Sequence, residues 1–323
     1  MKAKILAKLK NSNTYISGQE LSKEFNVSRT AIWKIISRLR EEGYEIEAVK
    51  NKGYRIVSVP DILSKSELES VVKSEYTICY EDEVDSTNNY AKRIAEQGAK
   101  NKTLVVSDCQ FAGKGRKGKS FSSVKQQGIF MTLLIRPDIK PQNASMLTII
   151  AAVAVQNGIY KATGLECKIK WPNDIICNGK KICGILTEMS TEMQSINYIV
   201  IGIGINTGND SFPDDIKDVA TSIKIETGGK SYKRSSIIAE VINSFDEYYE
   251  IFVSCQNLSF IKEYYDKYLV NAGEKVKIVG EKESYEAVAI GIDDDGELLV
   301  NRNGKIVKIV SGEVSVRGVY GYV

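Results

Sequence analysis

The chain has 323 residues, 43% of them hydrophobic, enough to bury at least one large core and to divide into two or three domains. It contains no histidine, which excludes Ser-His triads, Cys-His pairs and imidazole metal ligands, so any chemistry must rest on Lys, Arg, carboxylates and backbone amides. The net charge of +3 is unevenly spread: residues 1–60 hold 12 Lys+Arg against 6 Asp+Glu and the remainder 32 against 35, so a partner that seeks positive charge meets the N-terminal segment.

The longest apolar stretch, residues 146–155, falls far short of the roughly 20 residues a bilayer span needs, and no charged-then-apolar leader opens the sequence. A soluble cytoplasmic protein with no membrane partner is expected. Six cysteines (Cys79, Cys109, Cys167, Cys177, Cys183 and Cys255) show no CxxC spacing and no compact framework, and are read as reduced thiols.

Residues 1–9 place Ile5, Leu6 and Leu9 at helical spacing. A second helix opens at Ser17-Gly18-Gln19-Glu20, a capping box, and runs to about Phe25. After the short turn Asn26-Val27, Ser28 is a natural N-cap for a third helix with Ile32, Ile35, Ile36 and Leu39 on one stripe and Arg29, Thr30, Lys34 and Arg38 off it. Gly43 stops that helix, and residues 45–49 and 54–57 read as strands joined by Asn51-Lys52-Gly53. Three helices and a basic hairpin make a winged helix-turn-helix. In that arrangement Ser28, Arg29, Thr30, Lys34 and Arg38 lie at or near base edges of a major groove, while Lys50, Lys52 and Arg55 on the wing reach phosphates. The same pattern suits a small helical dimerisation module with a solvated basic face.

From Leu63 the pattern becomes mixed α/β. Residues 76–80 and 103–107 read as strands, and between them Asp85-Ser86-Thr87-Asn88 caps a helix that turns Tyr90, Ala91, Ile94 and Ala95 inward. Residues 110–119 contain Gly113-Lys114-Gly115-Arg116-Lys117-Gly118, three glycines that let backbone N–H groups turn inward as an anion nest and cations that supply counter-charge. This is not a Walker loop, because the GxxxxGK[ST] spacing is absent and residues 128–135 read as another strand. A flexible, solvated basic loop is the bland alternative. Residues 146–160 have helical length, residues 168–171 form a strand ended by Pro172-Asn173-Asp174, and residues 175–177 and 181–189 flank the hairpin dipeptide Asn178-Gly179. In residues 198–206 (YIVIGIGIN) the glycines let backbone approach a ligand lying on the sheet, since the polar, proline-containing residues 207–215 cannot start the helix a dinucleotide fingerprint needs. Residues 271–323 alternate apolar and polar positions, with turns at Gly280-Glu281, residues 293–296 and Asn303-Gly304.

In this order, the winged helix, Asp85-Ser86-Thr87-Asn88, GKGRKG, Lys170-Trp171-Pro172-Asn173-Asp174, Lys181 with its following Ile182-Cys183-Gly184, GIGIN and the closing Gly312-Glu313-Val314-Ser315-Val316-Arg317 resemble the biotin protein ligase family over essentially the whole chain. The similarity is to members that carry an N-terminal DNA-binding domain. It implies a multi-domain α/β (α+β) fold: a winged helix-turn-helix over residues 1–60, a mixed-sheet ligase domain over 61–270 and an SH3-like β-barrel over 271–323. The activity implied is ATP-dependent activation of biotin to biotinyl-5'-AMP and transfer to a lysine of a biotin carboxyl carrier protein. Magnesium would accompany ATP, with ligands left unnamed. Biotinyl-AMP would act as co-repressor, promoting a homodimer that binds operator DNA.

Carried over by motif, Arg116, Lys181 and Asp174 are the catalytic candidates. Ser86, Thr87, Asn88 and Gln110 would hold biotin together with Lys114, Gly115, Arg116 and Lys181. Gly113, Lys114, Gly115, Arg116, Lys117, Asn173, Asp174, Gly202, Gly204 and Asn206 would hold ATP and the adenylate. Lys114 and Lys119 stand where Arg is common, which keeps charge and loses the planar fork. Phe121 stands where Trp often follows the loop, and no tryptophan lies near Ala220-Thr221-Ser222 to cover adenine. A biotin-sensing repressor with weak or no ligase activity is the alternative; a lipoate ligase would bring a different glycine-rich motif with a following histidine.

Overall fold

The computed structural model describes residues 1–72, 75–192, 195–280, 284–311 and 315–318. The first three helices, α1 (Lys2–Lys10), α2 (Gly18–Glu24) and α3 (Arg29–Glu41), precede a hairpin of β1 (Glu45–Val49) and β2 (Gly53–Ser58). Ser17 and Ser28 start α2 and α3 as expected: each side chain accepts a backbone N–H, from Glu20 at 3.0 Å and from Ala31 at 3.1 Å. Ile32, Ile36 and Leu39 of α3 are buried with Ile5, Leu6, Leu9, Leu21 and Tyr44 in a core of their own, Ile35 packing partly buried against it, which accounts for the helical spacing seen in each segment.

The remaining elements are α4 (Lys65–Val71), β3 (Thr77–Glu81), α5 (Thr87–Glu96), β4 (Thr103–Ser107), β5 (Gly128–Ile135), α6 (Met146–Thr163), β6 (Lys168–Lys170), β7 (Asp174–Cys177), β8 (Lys180–Glu192), β9 (Ser195–Asn206), α7 (Ile223–Glu226), α8 (Arg234–Cys255), α9 (Lys262–Tyr268), β10 (Lys275–Val279), β11 (Ser284–Ile292), β12 (Leu298–Arg302), β13 (Lys305–Ile309) and β14 (Ser315–Gly318). A seven-stranded sheet runs in the order β3-β4-β5-β9-β8-β7-β6; β3 and β4 are parallel and the other neighbours antiparallel. The period of two in β9 decides which face does what. Ile199, Ile201, Ile203 and Ile205 enter the main core, where α6 and α8 pack, whereas Val200 turns to the opposite face and meets Ala91 and Ala95 of α5. Gly202 and Gly204 follow Val200 on that second face, beyond the N-terminus of α5. Helix α6 is buried on almost every side because sheet and α8 enclose it, and each large side chain so buried contributes about 1.5–3 kcal/mol.

The C-terminal strands form a five-stranded antiparallel sheet, β13-β12-β11-β10-β14, of the kind an SH3-like unit requires. Val276, Ile278, Ala289 and Val300 join the main core, so this sheet is packed on the central unit and not tethered beside it. Trp171 completes the junction, its indole N–H donating to Gly296 O at 2.9 Å. The Asn178-Gly179 and Asn303-Gly304 turns fall where expected; Glu281 of the Gly280-Glu281 turn, and Gly312, Glu313 and Val314 of the closing motif, lie outside the described residues. All six cysteines are free thiols. Among the described residues no helix is long and apolar enough to cross a membrane.

Candidate functional site

The residues singled out in separate stretches of sequence meet on the second face of the sheet, around a cleft of about 460 Å³ lined by Ser86, Thr87, Asn88, Gln110, Lys114, Gly115, Arg116, Phe121, Asn173, Lys181, Gly184, Ile185, Leu186, Gly202, Ile203 and Gly204. One end is neutral and hydrogen-bonded. Ser86 sits at the N-cap of α5 with no capping bond from its side chain; the Thr87 N–H donates instead to Gln110 Oε1 at 2.8 Å, and the Thr87 hydroxyl lies 3.1 Å from the same oxygen. Gln110 is oriented by donating Nε2 to Ser123 Oγ at 2.8 Å. Thr132, on the same face of β5, places Oγ1 2.9 Å from Thr87 Oγ1 and 2.7 Å from Asn88 Oδ1. Asn88 donates Nδ2 to Glu188 Oε2 at 2.8 Å and to Leu186 O at 3.2 Å, and Glu188 is in turn paired with Lys92 at 2.5 Å. Thr87, Asn88 and Thr132 are buried, so this is a pre-set array of donors and acceptors with few rotamers left to freeze against a polar group.

The glycines of β9 have a more specific purpose than open space above the sheet. A Cβ at Gly202 would overlap Asn88 Oδ1, and one at Gly204 would come within 2.7 Å of the Phe121 ring. The floor is bare so that a side chain from α5 and one from the basic loop can approach it. Gly202→Ala would therefore push Asn88 off its bonds to Glu188 and Leu186. The expected strain of about 1–3 kcal/mol corresponds to roughly 5- to 150-fold weaker binding of a ring at this end, readable by calorimetry against an unchanged fold by circular dichroism.

The other end is cationic. Arg116 begins a short 3-10 turn (Arg116–Gly118) and donates NH1 to Asn173 Oδ1 at 2.8 Å. Asn173 is itself anchored to β8, donating Nδ2 to Ile185 O and accepting the Ile185 N–H at its own carbonyl, both at 2.9 Å. The turn after Trp171 thus acts as a bracket that holds a guanidinium over the cleft. Burial draws the Arg116 pKa below its ordinary range and the nearby Asp174 charge opposes that; a guanidinium so displaced is still a cation at neutral pH. Lys181 Nζ is ion-paired with Asp174 at 2.6 Å, so Asp174 stands behind the cleft wall and steers the lysine. Lys114 Nζ, exposed, is held by Asn89 Oδ1 at 2.9 Å. Three cations lining one cleft favour an anionic ligand group.

Three of the expected residues lie apart from the cleft wall. Gly113 accepts the Phe121 N–H at 2.9 Å and shapes the loop. Asn206 donates Nδ2 to Thr221 O at 3.0 Å, tying β9 to residues 219–221, which in turn flank Lys181 through Lys181 N to Val219 O at 2.7 Å and Thr221 N to Lys181 O at 2.9 Å. Asp174 is the third, as above. The side chain of Lys117 lies outside what the structure describes. Sequence reading missed Thr132 and Glu188, which order the neutral end; only an inward-facing Thr among the apolar residues of β5 could have hinted at the first.

On the winged helix, Ser28, Arg29, Thr30, Lys34, Arg38, Lys50 and Lys52 are exposed. The Ser28 hydroxyl is engaged in capping α3, and Arg55 is half-buried, paired with Glu47 at 2.9 Å and lying 4.9 Å from the Tyr15 ring centre. Trp33, 58% exposed in the middle of α3, was not among the expected residues; it is a large apolar contact set among cations.

Comparison with known proteins matches three family models: an HTH domain over residues 2–55, the biotin/lipoate A/B protein ligase family over 80–206, and the biotin protein ligase C terminal domain over 272–317. The chain is 40% identical over 309 residues to the bifunctional ligase/repressor BirA of Bacillus subtilis, covering 94% of each chain, and 27% identical over 317 residues to that of Escherichia coli, covering 97% of this chain and 96% of the relative. Among solved structures, the biotin protein ligase of Aquifex aeolicus in complex with biotin and ATP is similar at a TM-score of 0.66 and 28% identity, over 75% of this chain and 98% of that one.

Proposed function

The chain belongs to the bifunctional ligase/repressor family, and from that premise we propose that it activates biotin with ATP to biotinyl-5'-AMP and transfers the biotinyl group to a lysine of a biotin carboxyl carrier protein. The observation that carries this reading is the two-ended cleft: a neutral array of Thr87, Asn88 and Gln110 at one end, and Arg116 and Lys181 at the other. The ureido ring of biotin needs both donors and an acceptor, which the first end offers. Its carboxylate then points to the cationic end, where the carboxylate oxygen attacks the α-phosphate and pyrophosphate leaves. Negative charge grows on the phosphate oxygens in that step, and Arg116 and Lys181, the cations at this end of the cleft, would receive it. Asn173 and Asp174 keep the two cations apart and aimed. In the second step a neutral lysine amine of the carrier attacks the acyl carbon, the acyl–phosphate bond breaks and AMP departs.

Magnesium would neutralise charge on the triphosphate. Among the described residues no group of three or more carboxylates and thiols could hold a metal ion, which fits a cation that arrives with the nucleotide and keeps phosphate and water as ligands.

We further propose that residues 1–60 bind operator DNA, that residues 61–270 and 271–323 form the ligase and C-terminal units, and that biotinyl-AMP favours a homodimer presenting two copies of α3 to two half-sites. A cytoplasmic location follows from the intracellular carrier and DNA. The decisive assay incubates the purified chain with ATP, magnesium, radiolabelled biotin and a carrier domain. Label on the carrier that depends on ATP supports ligation. Biotin bound without transfer would instead favour a repressor that only senses biotin.

A further inference from the structure

Glu67, in α4, is 1% exposed, and its partners come from both sides of the junction between the winged helix and the large unit. Oε1 meets Lys10 Nζ at 2.5 Å, from the end of α1, and Ser235 Oγ at 2.7 Å, from the start of α8; Oε2 meets the Tyr44 hydroxyl at 2.5 Å. Beside Ser235, Arg234 is also 1% exposed. Its backbone N–H and Nε reach the Asp61 carboxylate at 2.8 and 2.9 Å, and NH1 reaches Asp108 at 2.5 Å and Gly128 O at 3.3 Å. Asp61 lies in the segment that leaves the wing, Asp108 immediately follows β4, two residues before Gln110, and Gly128 begins β5.

Apolar contact between two such units would be non-directional and would tolerate sliding. Buried charges do not: each is costly unless every partner is seated, so one relative orientation is selected from many. Neither Glu67 nor Arg234 lines the cleft, and neither belongs to the apolar core of the winged helix. We propose that Glu67 and Arg234 are positioning residues of a buried ionic latch that fixes the attitude of the winged helix on the ligase sheet, and so the separation at which a dimer presents its two α3 helices to DNA. The DNA part of this inference rests on the repressor reading above. Half-sites sit roughly 34 Å apart or at multiples of it, and a domain free to swivel must be ordered at each half-site when the whole operator is bound.

The test uses the full chain carrying Glu67→Gln or Arg234→Met. Backbone amide relaxation should give the winged helix the same rotational correlation time as the rest of the wild-type chain, and a shorter one in either variant. With saturating biotin and ATP, whole-operator affinity should fall by about tenfold or more and half-site affinity stay within about twofold, and in Glu67→Gln, which lies away from Gln110, biotin transfer should also stay within about twofold. Arg234→Lys, which keeps the charge and loses the fork, should recover part of the loss, as a mere packing defect would not. Should Arg234→Met fail to fold, Tyr44→Phe and Lys10→Met each remove one partner and carry the same expectation. Variants that tumble as one body and bind the whole operator like the wild type overturn the latch. A wild type that ignores operator DNA yet loosens on Glu67→Gln keeps the latch and rejects the repressor reading.

Discussion

Lys181→Met will slow adenylate formation by about 100- to 1000-fold, the range expected when one preorganised donor to a developing charge is lost. The lysine is set at the start of β8, backed by Asp174 at 2.6 Å and clasped by the backbone of residues 219–221. Its ammonium therefore need not be reorganised when charge appears on the phosphate. Methionine fills similar volume, so the fold is kept and the deficit is electrostatic. The substitution also removes the lysine charge that offsets Asp174, whose carboxylate then acts more strongly on Arg116, which sets the result toward the upper end of the range. Pairing it with Asp174→Asn should restore some of the rate, since the negative charge beside Arg116 is then removed. Rapid-quench measurement of pyrophosphate release is the readout, with kcat and kcat/KM falling together if the contact is made in the transition state. Pyrophosphate release close to the wild-type rate would reject the assignment of Lys181.

Deleting residues 1–60 will abolish operator binding, a loss of about 1000-fold or more that reduces any remaining affinity to the non-specific level, and biotin transfer will survive in part. The segment carries α3 with Arg29, Thr30, Lys34 and Arg38 exposed, and a separate core whose removal does not open the main one. The deletion strips Glu67 of Lys10 and Tyr44, but it also uncovers Glu67, whose carboxylate regains water and is not left as an unpaired buried charge. Partial, not complete, retention of transfer is expected because Asp61 and Arg234 then hold a frayed end beside Asp108 and Gln110. Fluorescence anisotropy on labelled operator and label transfer to the carrier check the two halves. Within the intact chain Trp33→Ala offers a milder comparison, since it removes an exposed apolar contact and no charge. Operator binding that persists in the deleted chain would place the DNA surface elsewhere.

Much of the fold was legible because its signals are local. Ser17 and Ser28 cap helices through bonds to residues three positions on, and the Asn178-Gly179 turn falls between strands that the apolar pattern marks on both sides. Strands β4 and β5 start and end where short, largely apolar runs bounded by turns place them. Residues 85–88 read less well. A Ser-Thr-Asn start looks like an ordinary cap, yet the Ser86 side chain makes no capping bond and Gln110, 23 positions away, accepts the Thr87 N–H. GIGIN reads as backbone left bare for a ligand, and in the fold Gly202 also makes room for Asn88 and Gly204 for Phe121.

By itself, the order of motifs determined the kind of chain this is and which stretches supply its chemistry, because helix caps, hairpin dipeptides and alternating strands depend on neighbours a few residues apart. Only the tertiary structure decided that Asn173 steadies Arg116, that Asp174 aims Lys181, that Thr132 and Glu188 order the neutral end, and that Glu67 and Arg234 join the winged helix to the sheet. Those partners lie from 7 to more than 100 positions apart along the chain and carry no periodicity. What sets them is which face of a folded strand or helix meets which, a condition that exists only once the cores have closed.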